Sequence, residues 1–396
     1  MNADSLTQLD LNKISINKVD PRLVKDIVRT MRQNMPHWLS SSDKILPELS
    51  APSRIVFAAS YDNEYLGLIA ISSITSHNLH IDYLMISQPN LLLPVGKKLL
   101  YATEKYCLEA GFASLTIETI SPKKNEASDE FKIFHFFEKA GYKPLVEYPQ
   151  ANNISVMLMH KVISLNDFTF IDLTHSISSD VPHWGLDAGF KYNARYIQSN
   201  VSNDGVKFRV QRLEMSAGIG THLDAPSHCF ENAPSVSDIP LQSLITTCRV
   251  IDVSNKAHDL YSVTPDDVLQ FEAEFGRIPK SSFVIIYTGW DERWTQPEKY
   301  RNEKIFPNIS VEAAEILLSR DIVGLGIDTL SPDAFGSNFP VHELILGAGK
   351  FIVENVANAH QLDPGDAYVF ALPIKVADGT EAPMRLVGLK RKRILF

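Results

Sequence analysis

Two imidazoles and a carboxylate fall within one short stretch, Gly218-Ile219-Gly220-Thr221-His222-Leu223-Asp224-Ala225-Pro226-Ser227-His228. Imidazole nitrogen and carboxylate oxygen are the donors that a borderline divalent ion such as zinc or manganese takes. A histidine beside such an ion can also move protons, because its intrinsic pKa lies near neutrality. Gly218 and Gly220 allow backbone angles closed to other residues. Pro226 fixes its own φ and pushes Ala225 towards extended geometry. The stretch is therefore expected to be extended rather than helical, with His222, Asp224 and His228 on one face. A turn-rich loop with hydrogen-bonded histidines would use the same residues.

A second group lies further on. His342 opens Val341-His342-Glu343-Leu344-Ile345-Leu346-Gly347, and Glu354 follows Phe351, Ile352 and Val353. A carboxylate in so apolar a run must be paired, protonated or bound to metal. Trp184, in Val181-Pro182-His183-Trp184-Gly185, offers a flat apolar wall for a ring or acyl chain. It would equally suit an ordinary core. Cys229 follows His228 directly, where a plain free thiol is the simpler expectation.

The elements that must hold these groups are legible in part. Strands are expected over 168–173, 207–216, 250–252, 283–288 and 322–327 from their apolar and β-branched content. Helices are expected from Thr264, an N-cap followed by Pro265, Asp266 and Asp267, and over 310–319. In the first half the patterns predict a helix over 20–35 and strands over 54–60 and 64–73 joined at Asp62-Asn63. A third strand over 79–87 precedes a long amphipathic helix over 91–111. A strand over 113–119, a helix over 131–141 and a strand over 155–160 follow. The join between the halves is expected at 162–166, giving domains 1–163 and 164–396 with no long linker.

The glycine-rich stretch resembles the signature of the cyclase family, kynurenine formamidase-like metal-dependent hydrolases: His-x-Gly-Thr-His-x-Asp-x-Pro-x-His. Gly220, Thr221, His222, Asp224, Pro226 and His228 match, whereas Gly218 stands in place of the first histidine, a metal ligand in the family. Asp172-Leu173-Thr174-His175, Pro182 and Trp184, Thr288-Gly289-Trp290, the region from His342 to Glu354-Asn355, and Pro383-Met384-Arg385 also resemble family passages. The resemblance implies a swivelling β/α/β fold. It implies His222, Asp224, His342 and Glu354 as metal ligands, His228 as general base and acid, and Trp184 in the substrate pocket. With Gly218 in place, one ion per chain, zinc or manganese, is expected rather than two. His183 could supply the missing nitrogen.

The first half resembles a degenerate GNAT acyltransferase domain, through its element order and the phrase Phe136-Phe137-Glu138-Lys139-Ala140-Gly141-Tyr142-Lys143. That family holds the acyl-CoA pyrophosphate on backbone N–H groups at a helix N-terminus, in the motif Gln/Arg-x-x-Gly-x-Gly/Ala. Here Leu91 lacks the polar group and Pro94 lacks an N–H, and only Gly96 survives. Phe137 occupies the place of a tyrosine that protonates the departing thiolate, and it has no proton to give. The expected fold class is thus α/β (α+β), a GNAT-like domain fused to a cyclase-family domain.

Composition bounds the rest. The chain has 396 residues, enough for two or three domains, and its 44% apolar and 21% charged content is that of a soluble globular protein. Residues 1–163 carry 17 Lys+Arg and 17 Asp+Glu; the second half carries 21 against 30 and so holds the whole net charge of −9. Neither half has a basic stripe, which argues against nucleic acid as a partner. No apolar run reaches the ~18 residues of a membrane span, and the polar start lacks a signal-peptide layout. Three scattered cysteines suit a reducing cytoplasm. The expected activity is metal-dependent hydrolysis or cyclisation of a small amide, lactam or acylated metabolite by a homo-oligomer, a dimer or tetramer. The alternatives are an acyltransferase or bifunctional enzyme using acyl-CoA or an acylated carrier, and a non-catalytic scaffold.

Overall fold

The computed structural model describes residues 10, 13–32, 46–122, 128–150, 154–185, 189–198 and 207–392. The chain divides into two compact units, residues 1–167 with 392–396, and residues 168–391. Among the described residues no helix is long and apolar enough to cross a membrane.

The first unit is a seven-stranded sheet with helices on both faces. Its strands are β1 (Ser15–Val19), β2 (Ile55–Tyr61), β3 (Glu64–Thr75), β4 (Asn78–Ile86), β5 (Ser114–Ile120), β6 (Lys143–Pro149) and β7 (Ser155–Val162), in the order β1-β2-β3-β4-β5-β7-β6. Asp62 and Asn63 both take positive φ, 46° and 64°, which lets a two-residue turn join β2 to β3. The helices are α1 (Val24–Arg32), α2 (Leu46–Leu49), α3 (Leu92–Glu109) and α4 (Asp129–Lys139). α1 and α2 cover one face through Val24, Ile27, Met31 and Leu49; α3 and α4 cover the other through Leu99, Leu100, Phe136 and Phe137. The helix expected over 20–35 is shorter: a single turn at Pro21–Leu23 leads into α1, and its expected end lies outside the described residues.

β4 and β5 are parallel, and they pair only from Asn78 with Ser114 to Ile81 with Ile117. Beyond that point they part. A cavity of about 280 Å³ opens there, lined by Tyr83, Leu84, Ile86, Ile117, Ile133 and Phe137 among others.

The second unit is built on an eight-stranded sheet. Its strands are β8 (Phe168–Asp172), β11 (His222–Asp224), β12 (Ile245–Asp252), β14 (Phe283–Tyr287), β16 (Gly324–Ile327), β17 (Phe351–Glu354), β18 (Ala367–Pro373) and β19 (Glu381–Arg391). β9 (Phe190–Gln198) and β10 (Lys207–Met215) form a separate antiparallel ribbon, and β13 (Ser262–Val263) pairs with β15 (Asn308–Ile309). β12, β14, β16 and β17 are parallel neighbours. β14, β16 and Phe351–Val353 of β17 are apolar and buried on both faces, as strands covered on both sides must be. β11 bonds to β17 on one side and to β19 on the other, so the sheet closes on itself.

Leu223, Val250, Phe283, Val353, Val369 and Ala382 fill one face of this sheet. Val284, Ile286, Leu325 and Ile352 on the other face meet α6 (Pro265–Phe275), α8 (Val311–Ser319) and α9 (Pro340–Gly347). α6 opens on a capping box: Thr264 and Asp267 satisfy each other's backbone N–H groups. The short helices α5 (Leu241–Leu244) and α7 (Pro297–Arg301) complete the unit.

Candidate metal centre

The centre is a consequence of strand register. In β11, His222 and Asp224 are two apart and share a face, while Leu223 between them enters the core on the opposite side. On one flank His222 lies opposite Glu354 of β17; on the other Asp224 lies opposite Glu381 of β19. Directly opposed residues of antiparallel strands point to the same face. Two histidine-and-carboxylate positions thus become four neighbours. The first turn of α9 adds His342 from above this face.

The distances are short. His222 Nε2 is 3.3 Å from Asp224 Oδ1 and 3.4 Å from Glu354 Oε2. His342 Nε2 is 3.4 Å from Glu354 Oε1 and 3.7 Å from Asp224 Oδ2. All four side chains are buried. Each imidazole is turned by its other nitrogen. His222 Nδ1 lies 2.9 Å from the Gly220 carbonyl, and His342 Nδ1 lies 2.7 Å from Asp333 Oδ2. Both Nε2 atoms therefore face the centre, the arrangement that a second carboxylate or carbonyl imposes on metal-ligating histidines. Asp333 also accepts from the backbone N–H groups of Val341 and His342, tying the start of α9 to the site.

The glycine-rich turn before β11 is braced in the same way. Asn355 Nδ2 donates to the Gly220 carbonyl at 2.8 Å, Thr221 Oγ1 donates to the Asn355 carbonyl, and Tyr300 donates to Asn355 Oδ1. Gly220 needs its φ of 63° for this turn. Thr288 and Trp290 donate their backbone N–H groups to the buried Asp328, on each side of Gly289 at φ 78°. Burial pushes the Asp328 carboxyl up to about 7.

Electrostatics make the centre a hole for positive charge. Burial works against a charged His222, but the facing Asp224 and Glu354 carboxylates win and carry its pKa up to about 10. His342 behaves likewise, with burial outweighed by Asp224, Asp333 and Glu354, and reaches about 12. Burial raises Glu354, reinforced by the charge of Asp224. Asp224, although burial opposes it, is held below the usual carboxylate range by the two histidines. Asp224 Oδ1 is buried and accepts no hydrogen bond. Such an atom demands a cation or a proton. Two triads of donor atoms lie within 4.8 Å of one another: Asp224, His342 and Glu354; and His222, Asp224 and Glu381. The residues present fit a divalent ion, with Asp224 common to both triads.

The centre opens on a cavity of about 280 Å³ lined by Trp184, Leu330, Phe339, His228 and Cys229 besides the ligating groups. His228 is not on the strand. A single turn at Pro226–His228 carries it to the rim, so the extended expectation holds only over β11. His228 Nδ1 is 3.3 Å from Glu381 Oε2, which raises its pKa against the effect of burial. Trp184 forms a wall with Phe335 and Phe339, at ring separations of 6.0 and 5.8 Å. Partial burial pushes the Cys229 thiol up, the opposite of an activated nucleophile.

His183, considered as a substitute nitrogen but expected to be a loop histidine, does not join the centre. Its Nδ1 lies 3.1 Å from the Val181 carbonyl, its ring packs under Gly189, and it is in neither triad. The space at Gly218 is met instead by Glu381. A Cβ built on Gly218 would lie 2.2 Å from Glu381 Oε1 and 3.2 Å from His222 Nε2. Glu381 and Asp333 are thus the residues the sequence reading missed. The signal for Glu381 was an acid just before Pro383-Met384-Arg385; for Asp333 it was the Ser331-Pro332-Asp333 turn ahead of His342.

Residues 171–334 match the family model described as Cyclase, putative cyclase. An isatin hydrolase of Roseibium aggregatum is 29% identical over 241 residues, 56% of this chain and 92% of its own length. A kynurenine formamidase of Bacillus mycoides is 26% identical over 219 residues, 55% of this chain and 96% of its own. The structure of isatin hydrolase A from Labrenzia aggregata bound to benzyl benzoate superposes with a TM-score of 0.52 at 31% identity, covering 57% of this chain and 95% of that one. The second half of the chain is cyclase-like. In the cyclase-like unit every residue that the resemblance named as a ligand stands on one face of β11 and β17 or on the first turn of α9.

Proposed function

We propose that the cyclase-like unit is a metal-dependent hydrolase of a small amide, lactam or acylated metabolite. One observation carries this reading: His222, Asp224, His342 and Glu354 converge in a buried cluster whose Asp224 Oδ1 has no hydrogen-bond donor. A divalent ion held there supplies Lewis-acid polarisation of a carbonyl and a water acidified towards neutrality. The chain's own residues supply the rest. Glu381 holds His228 by Nδ1, which leaves Nε2 to take a proton from the attacking water and return it to the leaving nitrogen. Trp184, Phe339 and Leu330 line the cavity and would seat a flat ring against the centre. The names of the relatives, isatin hydrolase and kynurenine formamidase, favour an aryl-bearing lactam or formamide as the substrate class.

The test is hydrolysis of isatin and N-formylkynurenine before and after chelation. Activity should vanish on chelation and return with manganese or zinc. A rate unchanged in the fully chelated protein overturns the reading.

For the first unit we propose a GNAT-like acyl-binding fold without transferase chemistry. The parting of β4 and β5 and the cavity between them favour a bound chain-like group. The machinery of transfer is missing. Leu91 gives α3 no side-chain cap, Pro94 removes a donor from its first turn, and Phe137 is buried against Phe136 and Tyr142. Calorimetry with acyl-CoA should show weak but measurable binding, since the pyrophosphate contacts at the start of α3 are missing, and no transfer to amines. Turnover of acyl-CoA overturns this.

A further inference from the structure

Gly218 and Glu381 belong to one device. Gly218 stands where a ligand would be expected, and the space a side chain would need there is taken by Glu381 Oε1. The two alternatives exclude each other, since a Cβ at 218 would overlap that oxygen. Glu381 reaches this place because β19 pairs with β11 in the register that sets Asp224 opposite Glu381. Glu354 reaches the other side because β17 sets His222 opposite Glu354. The central strand is thus flanked by two strands that each deliver one glutamate to the same face. The outcome is two triads of equal composition, one imidazole, one glutamate and the shared Asp224.

We infer that Glu381 replaces the ligand absent at Gly218 and completes a second cation position with His222 and Asp224, beside the position formed by Asp224, His342 and Glu354. This rests on the reading of the centre as cation-binding. Two observations point to a ligand here independently of the acidic cluster. Asp224 Oδ1, the oxygen nearer His222, is buried without a donor. Among the described residues, the hydrogen-bonding and ion-pair contacts of Glu381 involve Oε2: His228 Nδ1 at 3.3 Å and Thr380 Oγ1 at 3.4 Å. Oε1 is the atom turned to the gap at Gly218. The donor set, one nitrogen and two carboxylates, suits manganese or zinc. The single ion expected from the missing histidine counted no donor from β19.

The experiment is titration of the full-length, metal-free protein with Mn²⁺, followed by calorimetry. Wild type should take up two equivalents. Glu381→Gln should weaken one of them at least tenfold, since even an outer partner of a ligand is worth about 10- to 100-fold in affinity. Glu354→Gln should weaken the other. The double variant Gly218→His with Glu381→Gly has space for the imidazole and should recover two equivalents, which also shows that loss in the single variant is not misfolding. Glu381→Gln with wild-type count and affinity, whatever its rate of hydrolysis, overturns the proposal and leaves Glu381 as a positioning residue for His228. One equivalent in wild type, lost only in Glu354→Gln, overturns the second position alone. No uptake by wild type overturns both this inference and the proposed hydrolase.

Discussion

The two units each carry a cavity of about 280 Å³, and the charges around them are treated in opposite ways. In the first unit, charged groups at the cavity have partners of opposite sign or polar donors. Asp82 pairs with Arg54 and accepts from Ser72, and Asp129 pairs with Lys132 at 3.1 Å. Deeper in the same unit Lys161 Nζ sits 2.9 Å from Glu104 and from the Ala140 carbonyl, all out of water. In the second unit, three carboxylates, Asp224, Glu354 and Glu381, converge on two histidines, and Asp224 Oδ1 has no hydrogen bond and only His222 Nε2, 3.3 Å away, facing it. A buried ion pair satisfies its own charges, whereas three carboxylates around two buried histidines favour a bound cation. Equal volume therefore does not mean equal surroundings.

The strongest way to break this contrast is to remove the shared ligand. Asp224→Asn should abolish uptake of Mn²⁺ at both triads and lower hydrolysis by roughly a thousandfold or more, as expected when water activation is lost. Glu118→Gln in the other cavity should leave both unchanged. If Asp224→Asn retains metal and rate, the centre is not what its geometry implies. His228→Ala separates proton transfer from metal holding. It should lower kcat by about 10²- to 10⁴-fold while the metal content stays at the wild-type value.

Breaking the paired charge in the first unit should do the reverse. Lys161→Met leaves Glu104 buried without its cation, a loss on the order of 3–5 kcal/mol in unfolding free energy. Metal uptake by the second unit should not change. Denaturant unfolding with a parallel Mn²⁺ titration reads both. A variant of unchanged stability would mean that Glu104 finds another partner, and the pairing argument would fail for that unit.

How much of this was legible in the sequence follows from where the signals lie. His222 and Asp224 were readable because glycines before them and Pro226 after them forbid a helix, and alternation then fixes a common face. The capping residue Thr264 marked its helix because a cap is a local event. β1, β6 and β9 were not foreseen. β1 and β6 are the edge strands of the first sheet and β9 lies in a two-stranded ribbon, so none is covered by sheet on both sides. β6 carries Pro144 and Pro149, which read as breaks but are tolerated at an edge. Glu381 was missed for a different reason. An acid just before Pro383-Met384-Arg385 was visible, but its role depends on the register of β19 against β11, set by two strands far apart in the chain. His183 stayed an open alternative because nearness in sequence to Trp184 says nothing of where its ring turns.

The smallest expected effect concerns His175, which the resemblance named and neither triad uses. Its ring stacks on Trp294 with centroids 3.9 Å apart, and its Nε2 is buried without a partner. Burial holds its pKa down to about 4, and the charge of Asp172 only partly offsets this. The unfolded chain would bind a proton on this ring near 6.5, which the folded chain refuses. Its contribution is therefore fully present above pH 6.5 and is lost as pH falls towards 4. The loss should be on the order of 2 kcal/mol, reduced by partial exposure to solvent. His175→Phe keeps a flat ring against Trp294 and cannot be protonated. Its unfolding free energy, measured at pH 7 and pH 4.5 in the presence of chelator, should fall less with acid than that of wild type. Equal acid sensitivity in the two proteins would place the titration elsewhere, in the carboxylates and histidines of the metal centre itself.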